Sequence, residues 1–475
     1  MDVCRKGGQS RAADTLGRML MSPETARFVS EHRRDNVRDL ALHAKRADGL
    51  DLPFALDQIA GWQTARGKLP EWAACEGIVY PPHISMEQCS SEFTARYKAE
   101  VARRIAGESE PQGLPSVWGT VGDSRLRGEE GRPVAPLIQS ATDSSPRRGE
   151  PGRPAASATQ LVDLTGGFGV DFSYMAREFA QATYVERQEH LCELAEHNMR
   201  ALGLHNVTVV NGDAEMMLRD ETATLIFVDP ARRDEHGGRT IAIEDCTPDV
   251  LALRDRLLAA APHVMIKLSP MLDWRKAVAD FHGAVSEVHI VSTGNECKEL
   301  LLVLDRRINT IVHVYCVNDA DRLDYDYDPA DTASSSATAR SLGLAPLPEP
   351  ITYLYEPNAS IMKAGCFALV EERYGLTQIG PNSHLFITGA SRPIANFPGR
   401  RFSVDAVTTM GKKELKTTLA GLTKANVAVR NFPLTVAQLR SKLKLSDGGD
   451  TYLFATTLAG SKHVILRCSR LPAGD

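Results

Sequence analysis

The stretch Leu161–Phe172 constrains the fold more than any other. Leu161-Val162-Asp163-Leu164 is short and apolar, as a buried strand is, and it runs into Thr165-Gly166-Gly167-Phe168-Gly169 before a helical pattern opens at Phe172. A strand, a glycine-rich turn and a helix in that order form the first unit of a doubly wound parallel sheet. The alternation then repeats. Ala182–Glu186, Val207–Asn211, Thr224–Val228 and His263–Lys267 are apolar runs of strand length separated by helical patterns. The expected class is therefore α/β, with a Rossmann-like domain over 159–308.

The turn also limits the ligand. Gly167 and Gly169 let the backbone approach a bound group, and the helix start behind them favours negative charge. A dinucleotide fold would use the same physics. Here, however, the third glycine of GxGxxG is replaced by Phe172, and the acidic Asp171 beside the turn would repel a pyrophosphate. A cofactor with a sulfonium, an ammonium and no phosphate tolerates these acids, so the turn favours S-adenosylmethionine over NAD.

Further acids fall at successive strand ends. Glu186 closes the second strand, 23 residues after Asp163, where a carboxylate can accept both ribose hydroxyls. Asp213, followed by Ala214, is placed to accept from an adenine amino group. Asp229-Pro230-Ala231-Arg232 follows the fourth strand. Any one such acid can instead be a helix N-cap. Four in register point to ligand contact outside the carboxyl ends of the strands. After the fifth strand, Val285–Val291 and Glu299–Leu304 are joined by a short connection, which implies an antiparallel hairpin where the usual NAD fold adds a sixth parallel strand.

With these residues in place, Asp163-Leu164-Thr165-Gly166-Gly167-Phe168-Gly169 resembles motif I of class I methyltransferases, and Asp229-Pro230-Ala231-Arg232 resembles their motif IV. More narrowly, the chain is similar to bacterial S-adenosylmethionine-dependent methyltransferases with a C-terminal THUMP-like domain. The segments that carry this are 80–99, 164–176, 228–233, 266–274, 294–301, 355–365 and 424–457, which together span all but the inserts. The resemblance implies a helical N-terminal part (23–106), the methyltransferase domain (159–308), a ferredoxin-like module (349–402) and a THUMP-like domain (403–472). It also implies an RNA partner, tRNA or rRNA.

The cofactor set expected from both lines of reasoning is Asp163, Thr165, Gly167, Gly169, Glu186, Asp213, Ala214 and Asp229. Asp229, Pro230 and Arg232 are the expected catalytic group. In enzymes acting on exocyclic amines the acid and the proline carbonyl accept from the amino group, and an aromatic stacks on the extruded base. Here Ala231 and Arg232 replace Pro and that aromatic. Arg232 can stack, hold a phosphate, or pair with Asp229 or Glu244. A thiol route to a pyrimidine carbon would need a nucleophilic cysteine, with Cys246 and Cys297 nearest the strand ends. His83, Cys89, Ser90, Ser91 and Arg96 look like site residues in the N-terminal part, where Gln88, Cys89 and Ser90 can wall a substrate or serve only capping and packing.

Composition closes off other classes. The nine cysteines are scattered without a CxxC pair, which argues against a zinc or iron–sulfur site, so no metal is expected and the thiols are expected to be reduced. No run of about 18 apolar residues occurs, so no membrane partner and a cytoplasmic location are expected. Residues 1–22 and 107–158 are polar, Gly/Pro/Ser/Arg-rich and aperiodic, the composition of disorder. Residues 309–348 read as a strand and a low-complexity loop. Charge is segregated: residues 401–471 hold twelve Lys and Arg against four Asp and Glu, a surplus of +8 in a chain whose net charge is −5. Such a surplus is the footprint of phosphate contact, with Lys412, Lys413, Arg430, Arg440 and Lys444 the candidates and Arg440 and Lys444 expected on one helix face. A small-molecule methyltransferase would leave this basic domain without a purpose. A non-catalytic RNA-binding protein would leave the acid series without one. Sequence alone does not set the oligomeric state.

Overall fold

A computed structural model describes residues 21–44, 47–107, 159–218, 223–232, 243–331, 347–458 and 461–472, with the backbone alone at His83, Ile84, Ser85 and Arg232. The disorder expected for 1–22 and 107–158 falls outside these residues except at its edges, as do residues 332–346 of the low-complexity loop.

The N-terminal part is helical, as its patterns predict: α1 (Pro23–His32), α2 (Val37–His43), α3 (Leu52–Lys68), α4 (Pro70–Ala74), α5 (His83–Gln88) and α6 (Glu92–Gly107). Asp51 caps α3 by accepting from the Phe54 amide, and Pro53 sits in the first turn, where its missing N–H costs nothing. Among the described residues, no helix is long and apolar enough to cross a membrane.

The central sheet is built from β1 (Gln160–Asp163), β2 (Gln181–Glu186), β3 (Val207–Asn211), β4 (Leu225–Val228), β5 (His263–Leu268), β6 (Val285–Thr293), β7 (Glu296–Asp305), β8 (Val312–Asn318) and β9 (Asp321–Tyr327). Their spatial order is β9-β8-β6-β7-β5-β4-β1-β2-β3. Strands β1 to β5 are mutually parallel. β7 enters antiparallel between β5 and β6, so the hairpin expected after the fifth strand is present. The sheet does not stop at residue 308. β8 pairs parallel with β6 and turns back into β9, which makes the edge and carries Asp321, Arg322, Asp324 and Asp326. Charges of this kind discourage edge-to-edge pairing.

Helices cover both faces. One face packs against α3, α4 and α6 through Trp72, Tyr97, Val101, Phe168, Phe172 and Tyr184. The segment entering α5 is pinned to α7 (Glu189–Ala201) by two bonds: the Val79 amide donates to Asn198 Oδ1 at 2.9 Å, and Asn198 Nδ2 donates to the Val79 carbonyl at 2.9 Å. The N-terminal helices are thus part of the catalytic domain's core. The opposite face shares a second core with residues further along, among them Tyr355, Ile361, Phe367 and Phe397.

The C-terminal third forms one seven-stranded sheet, from β10 (Tyr353–Pro357), β11 (Thr377–Gln378), β12 (Phe386–Thr388), β13 (Gly399–Thr409), β14 (Asn426–Arg430), β15 (Thr451–Thr457) and β16 (His463–Arg470), in the order β11-β12-β10-β13-β16-β15-β14. The long strand β13 pairs with β10 on one side and β16 on the other, joining both halves through backbone bonds.

Candidate active site

The first turn is shaped by packing as much as by any ligand. A Cβ on Gly166 would lie 2.1 Å from the Tyr184 ring, and one on Gly169, at φ +84°, would lie 2.7 Å from Met199 Cε. Both positions therefore exclude a side chain. The Tyr184 hydroxyl donates to the Gly167 carbonyl, and the Gly167 amide donates to Glu186 Oε2 at 3.1 Å. Glu186 is held further by the Gln188 amide at 2.9 Å. Its carboxylate thus stands against the turn, at the carboxyl end of β2.

Asp163 is 1% exposed. Its Oδ1 accepts from the Thr165 amide at 2.9 Å, and the Asp229 amide donates to Thr165 Oγ1 at 2.7 Å, so the turn after β1 fixes the residue after β4. Burial pushes the Asp163 carboxyl up to about 8, helped by the Asp171, Asp229 and Glu186 carboxylates, although the Thr165 amide opposes it. Asp213 caps the short helix after β3 by accepting from the Glu215 amide at 2.9 Å, and its side chain is exposed. The cap therefore leaves the carboxylate open to solvent.

All eight residues of the expected cofactor set line a single cavity of about 420 Å³ at the carboxyl ends of β1 to β5. Of the expected catalytic group, Asp229 lines it. Pro230 is buried behind and is not among the lining residues, and the Arg232 side chain lies outside the described residues. Gln88, Cys89 and Ser90 supply part of the wall from the N-terminal helices. The His83 side chain lies outside the described residues. Ser91 caps α6 through the Thr94 amide, and Arg96 pairs with Glu71 on α4 and Glu92 on α6; neither lines this cavity.

The partner of Asp229 is Lys267, at the end of β5, whose Nζ donates to Asp229 Oδ2 at 2.6 Å. Lys267 Nζ also lies 3.5 Å from Asp171 Oδ2. Asp171 Oδ1 in turn lies 3.2 Å from Lys98 Nζ on α6, and Lys98 reaches Glu299 Oε1 at 2.5 Å. Ser90 Oγ donates to Asp171 Oδ2 at 2.7 Å. A chain of alternating charges, Glu299–Lys98–Asp171–Lys267–Asp229, thus runs through the interior with Lys98 fully buried. Burial works to raise the Asp171 carboxyl, but Lys98 and Lys267 outweigh it and hold it below the usual range. Burial likewise pulls Lys267 down, and the Asp229, Asp171 and Glu299 carboxylates overcome this and keep it charged. The expectation that Asp171 presents a repelling charge to a ligand needs correction, because two ammonium groups compensate that charge.

Neither cysteine considered for a thiol route lines the cavity, and burial pushes the Cys297 thiol up, away from the thiolate. Cys89, which does line it, is raised in the same way.

In the C-terminal domain the basic residues divide. Arg430 pairs with Glu356 at 2.6 Å and Arg440 with Asp447 at 2.6 Å. Lys444 is the left-handed cap after the helix Val436–Leu443 and not a residue of its face. Lys412, Lys413 and Lys444 are exposed.

Residues 353–398 match a ferredoxin-like domain family, and residues 399–470 match a THUMP domain-like family. A crystal structure from Porphyromonas gingivalis W83, named as a candidate methyltransferase, is similar over 97% of this chain and 99% of its own, with 26% identity and a TM-score of 0.72. A S-adenosylmethionine-dependent methyltransferase from Agrobacterium tumefaciens aligns over 32% of this chain and 57% of its own, with 16% identity and a TM-score of 0.25, too slight a likeness to carry an argument. No curated protein matches the sequence.

Proposed function

We infer that this chain, a class I methyltransferase domain in strand order followed by ferredoxin-like and THUMP-like domains, is an S-adenosylmethionine-dependent methyltransferase that modifies a base in RNA, tRNA or rRNA. The observation that carries the reading is the single cavity gathering Glu186, Asp213 and Asp229 at the strand ends beside a turn with no side chain at Gly167 and Gly169.

These residues fit the cofactor. Glu186 offers a carboxylate for two ribose hydroxyls, Asp213 an exposed acceptor for the adenine amino group, and the turn a close-approach surface with no Cβ. When bound, S-adenosylmethionine supplies an electrophilic methyl group. Asp229 accepts a hydrogen bond from the target amine and orients its lone pair. Lys267 holds one Asp229 oxygen in place, which leaves the other for the acceptor. Against the pull of burial, the Asp229, Asp171 and Glu299 carboxylates raise Lys267, which suits it to hold Asp229 rather than to take up a proton. Thr165 fixes the Asp229 backbone, so cofactor turn and acceptor acid keep one geometry. Positioning of this kind is a large part of what an enzyme contributes to a transfer between two bound groups.

RNA affinity in this reading rests on exposed lysines such as Lys412, Lys413 and Lys444, because Glu356 of the ferredoxin-like module holds Arg430 and Asp447 holds Arg440. The deciding experiment is nucleoside mass spectrometry of tRNA and rRNA from strains with and without the gene, paired with calorimetry of S-adenosylmethionine on the purified protein. One methylated nucleoside lost with the gene and restored by the purified protein supports the reading. Cofactor binding without any change in RNA nucleosides moves it to a small-molecule acceptor.

A further inference from the structure

A second cavity, of about 980 Å³, adjoins the first, and Gln88, Cys89, Ser90 and Lys267 line both. Its remaining wall comes from α3, from the start of α6 and from the turn between β6 and β7, including Lys68, Phe93, Thr293 and Lys298. None of the glycine-turn residues, nor Glu186 or Asp213, takes part. A ligand there would reach Asp229 past Lys267, whose Nζ sits 2.6 Å from the acid.

The wall is suited to an anion at its outer end. Lys68 Nζ donates to the carbonyls of Met86 and Glu87 at 2.8 and 2.7 Å, neutral acceptors that do not cancel its charge. Lys298 pairs with Glu296 at 2.6 Å, but both are well exposed, at 39% and 73%. Such a pair is weak and screened, so the lysine can exchange its partner for a phosphate. Three acids line the wall: Glu299 is taken by Lys98 and Glu92 by Arg96, so Glu87 stands against Lys68, Lys267 and Lys298. The volume lies at the upper end of the range for small-ligand pockets, enough for a nucleotide.

We propose that this second cavity is the acceptor chamber, taking the target nucleotide of an RNA with its phosphate toward Lys68 and Lys298 and its base toward Lys267. The inference rests on the RNA methyltransferase reading above and gives the N-terminal helices a function in it: they build the acceptor half of the active site. Opening of an RNA strand to place one nucleotide there costs a few kcal/mol of unstacking, least in loops and single-stranded stretches, so unpaired nucleotides are the favoured targets.

The test uses the full chain and bulk tRNA and rRNA from a strain lacking the gene, in filter-binding titrations at several salt concentrations, with calorimetry of S-adenosylmethionine on each protein. Lys68→Gln and Lys298→Gln should each weaken RNA binding and lower the slope of log affinity against log salt by about one, the loss of one phosphate contact. Cofactor affinity should stay unchanged. RNA binding by the wild type that both variants reproduce in affinity and slope overturns the chamber and leaves the RNA reading standing. A wild type that binds the cofactor but no RNA overturns both. Loss of cofactor affinity in a folded Lys298→Gln assigns the cavity to the cofactor and also overturns the proposal.

Discussion

Removal of the charge on Lys98 should unfold the junction between the N-terminal helices and the central sheet far more readily than its distance from solvent-facing chemistry suggests. Lys98 is fully buried and touches Glu299 at 2.5 Å, Asp171 at 3.2 Å and Ser90 at 3.3 Å. Lys98→Met keeps most of the volume and deletes the ammonium. Asp171 retains Ser90 at 2.7 Å and Lys267 at 3.5 Å, but Glu299, 3% exposed, loses its nearest cation. Breaking one side of a buried pair costs about 3–5 kcal/mol, mostly the uncompensated charge left behind. Burial already raises the Glu299 carboxyl, and without Lys98 it rises further. A group whose folded value is raised stabilises fully below its unfolded value and loses that contribution as pH increases. The variant's deficit should therefore be largest near pH 8 and shrink toward pH 5. Lys98→Met with Glu299→Gln removes the stranded charge and should recover a good part of the loss. Urea unfolding followed by tryptophan fluorescence suits the question, since Trp72 packs on Phe168 at the junction, with ring centroids 5.0 Å apart. A Lys98→Met protein within about 1 kcal/mol of the wild type at pH 8, or a double variant no better than the single, refutes the charge-chain account.

Four further outcomes follow from the same geometry. Glu186→Ala should weaken S-adenosylmethionine binding by about 1–3 kcal/mol, the cost of stranding its hydrogen-bond partners, as read by calorimetry. Asp229→Ala should abolish methyl transfer while cofactor affinity changes little, which separates a role in transfer from one in binding. Asp163→Asn should gain stability on the wild type as pH rises from about 4 to about 8: the raised carboxyl favours folding at low pH, that contribution is lost up to about 8, and Asn keeps a neutral acceptor for Thr165. Replacing Lys412, Lys413 and Lys444 together by Gln should flatten the salt dependence of RNA binding, whereas Arg440→Gln should cost stability through Asp447 and leave that slope nearly unchanged. Substitution suits this test better than truncation, because β13 pairs with strands of both C-terminal domains in their one common sheet.

The succession of strands in the central domain was legible because its signal is local. Each parallel strand is an apolar run of four to six residues ending in Asp163, Glu186, Asn211, Val228 or Leu268, and a glycine turn or a helical pattern separates each from the next. Burial on both faces imposes that composition whatever the partners are. The placement of the acids around one cavity was legible for the same reason, since a residue at a strand end is placed by the strand. The extension by β8 and β9 was harder. His313, Tyr315, Asp324 and Asp326 alternate with buried Val312, Val314, Cys316 and Leu323, and a one-sided edge hairpin has a weaker signature than a buried run.

Pairing decided the rest, and pairing is not local. Lys98, Asp171 and Lys267 lie in three separate elements, and nothing near Lys98 in an amphipathic helix distinguishes a buried ammonium from one facing water. Asp171 considered alone is a charge that any ligand must tolerate, whereas between two lysines it is a strut. Arg430 and Arg440 contributed to a surplus of +8 as though free, while Glu356 and Asp447 hold them. The missed residue with most consequence is Lys267. It holds Asp229, shares Asp171 with the N-terminal helices and lines both cavities. A change in how α6, which carries Lys98, sits would therefore be felt at Asp229 through three successive ion pairs, Lys98–Asp171, Asp171–Lys267 and Lys267–Asp229, and a shift of Ser90, in the turn before α6, through the last two of them. The N-terminal region is then a working part of the transferase and not an appendage, and its substitutions should alter turnover through Lys267 before they alter cofactor binding.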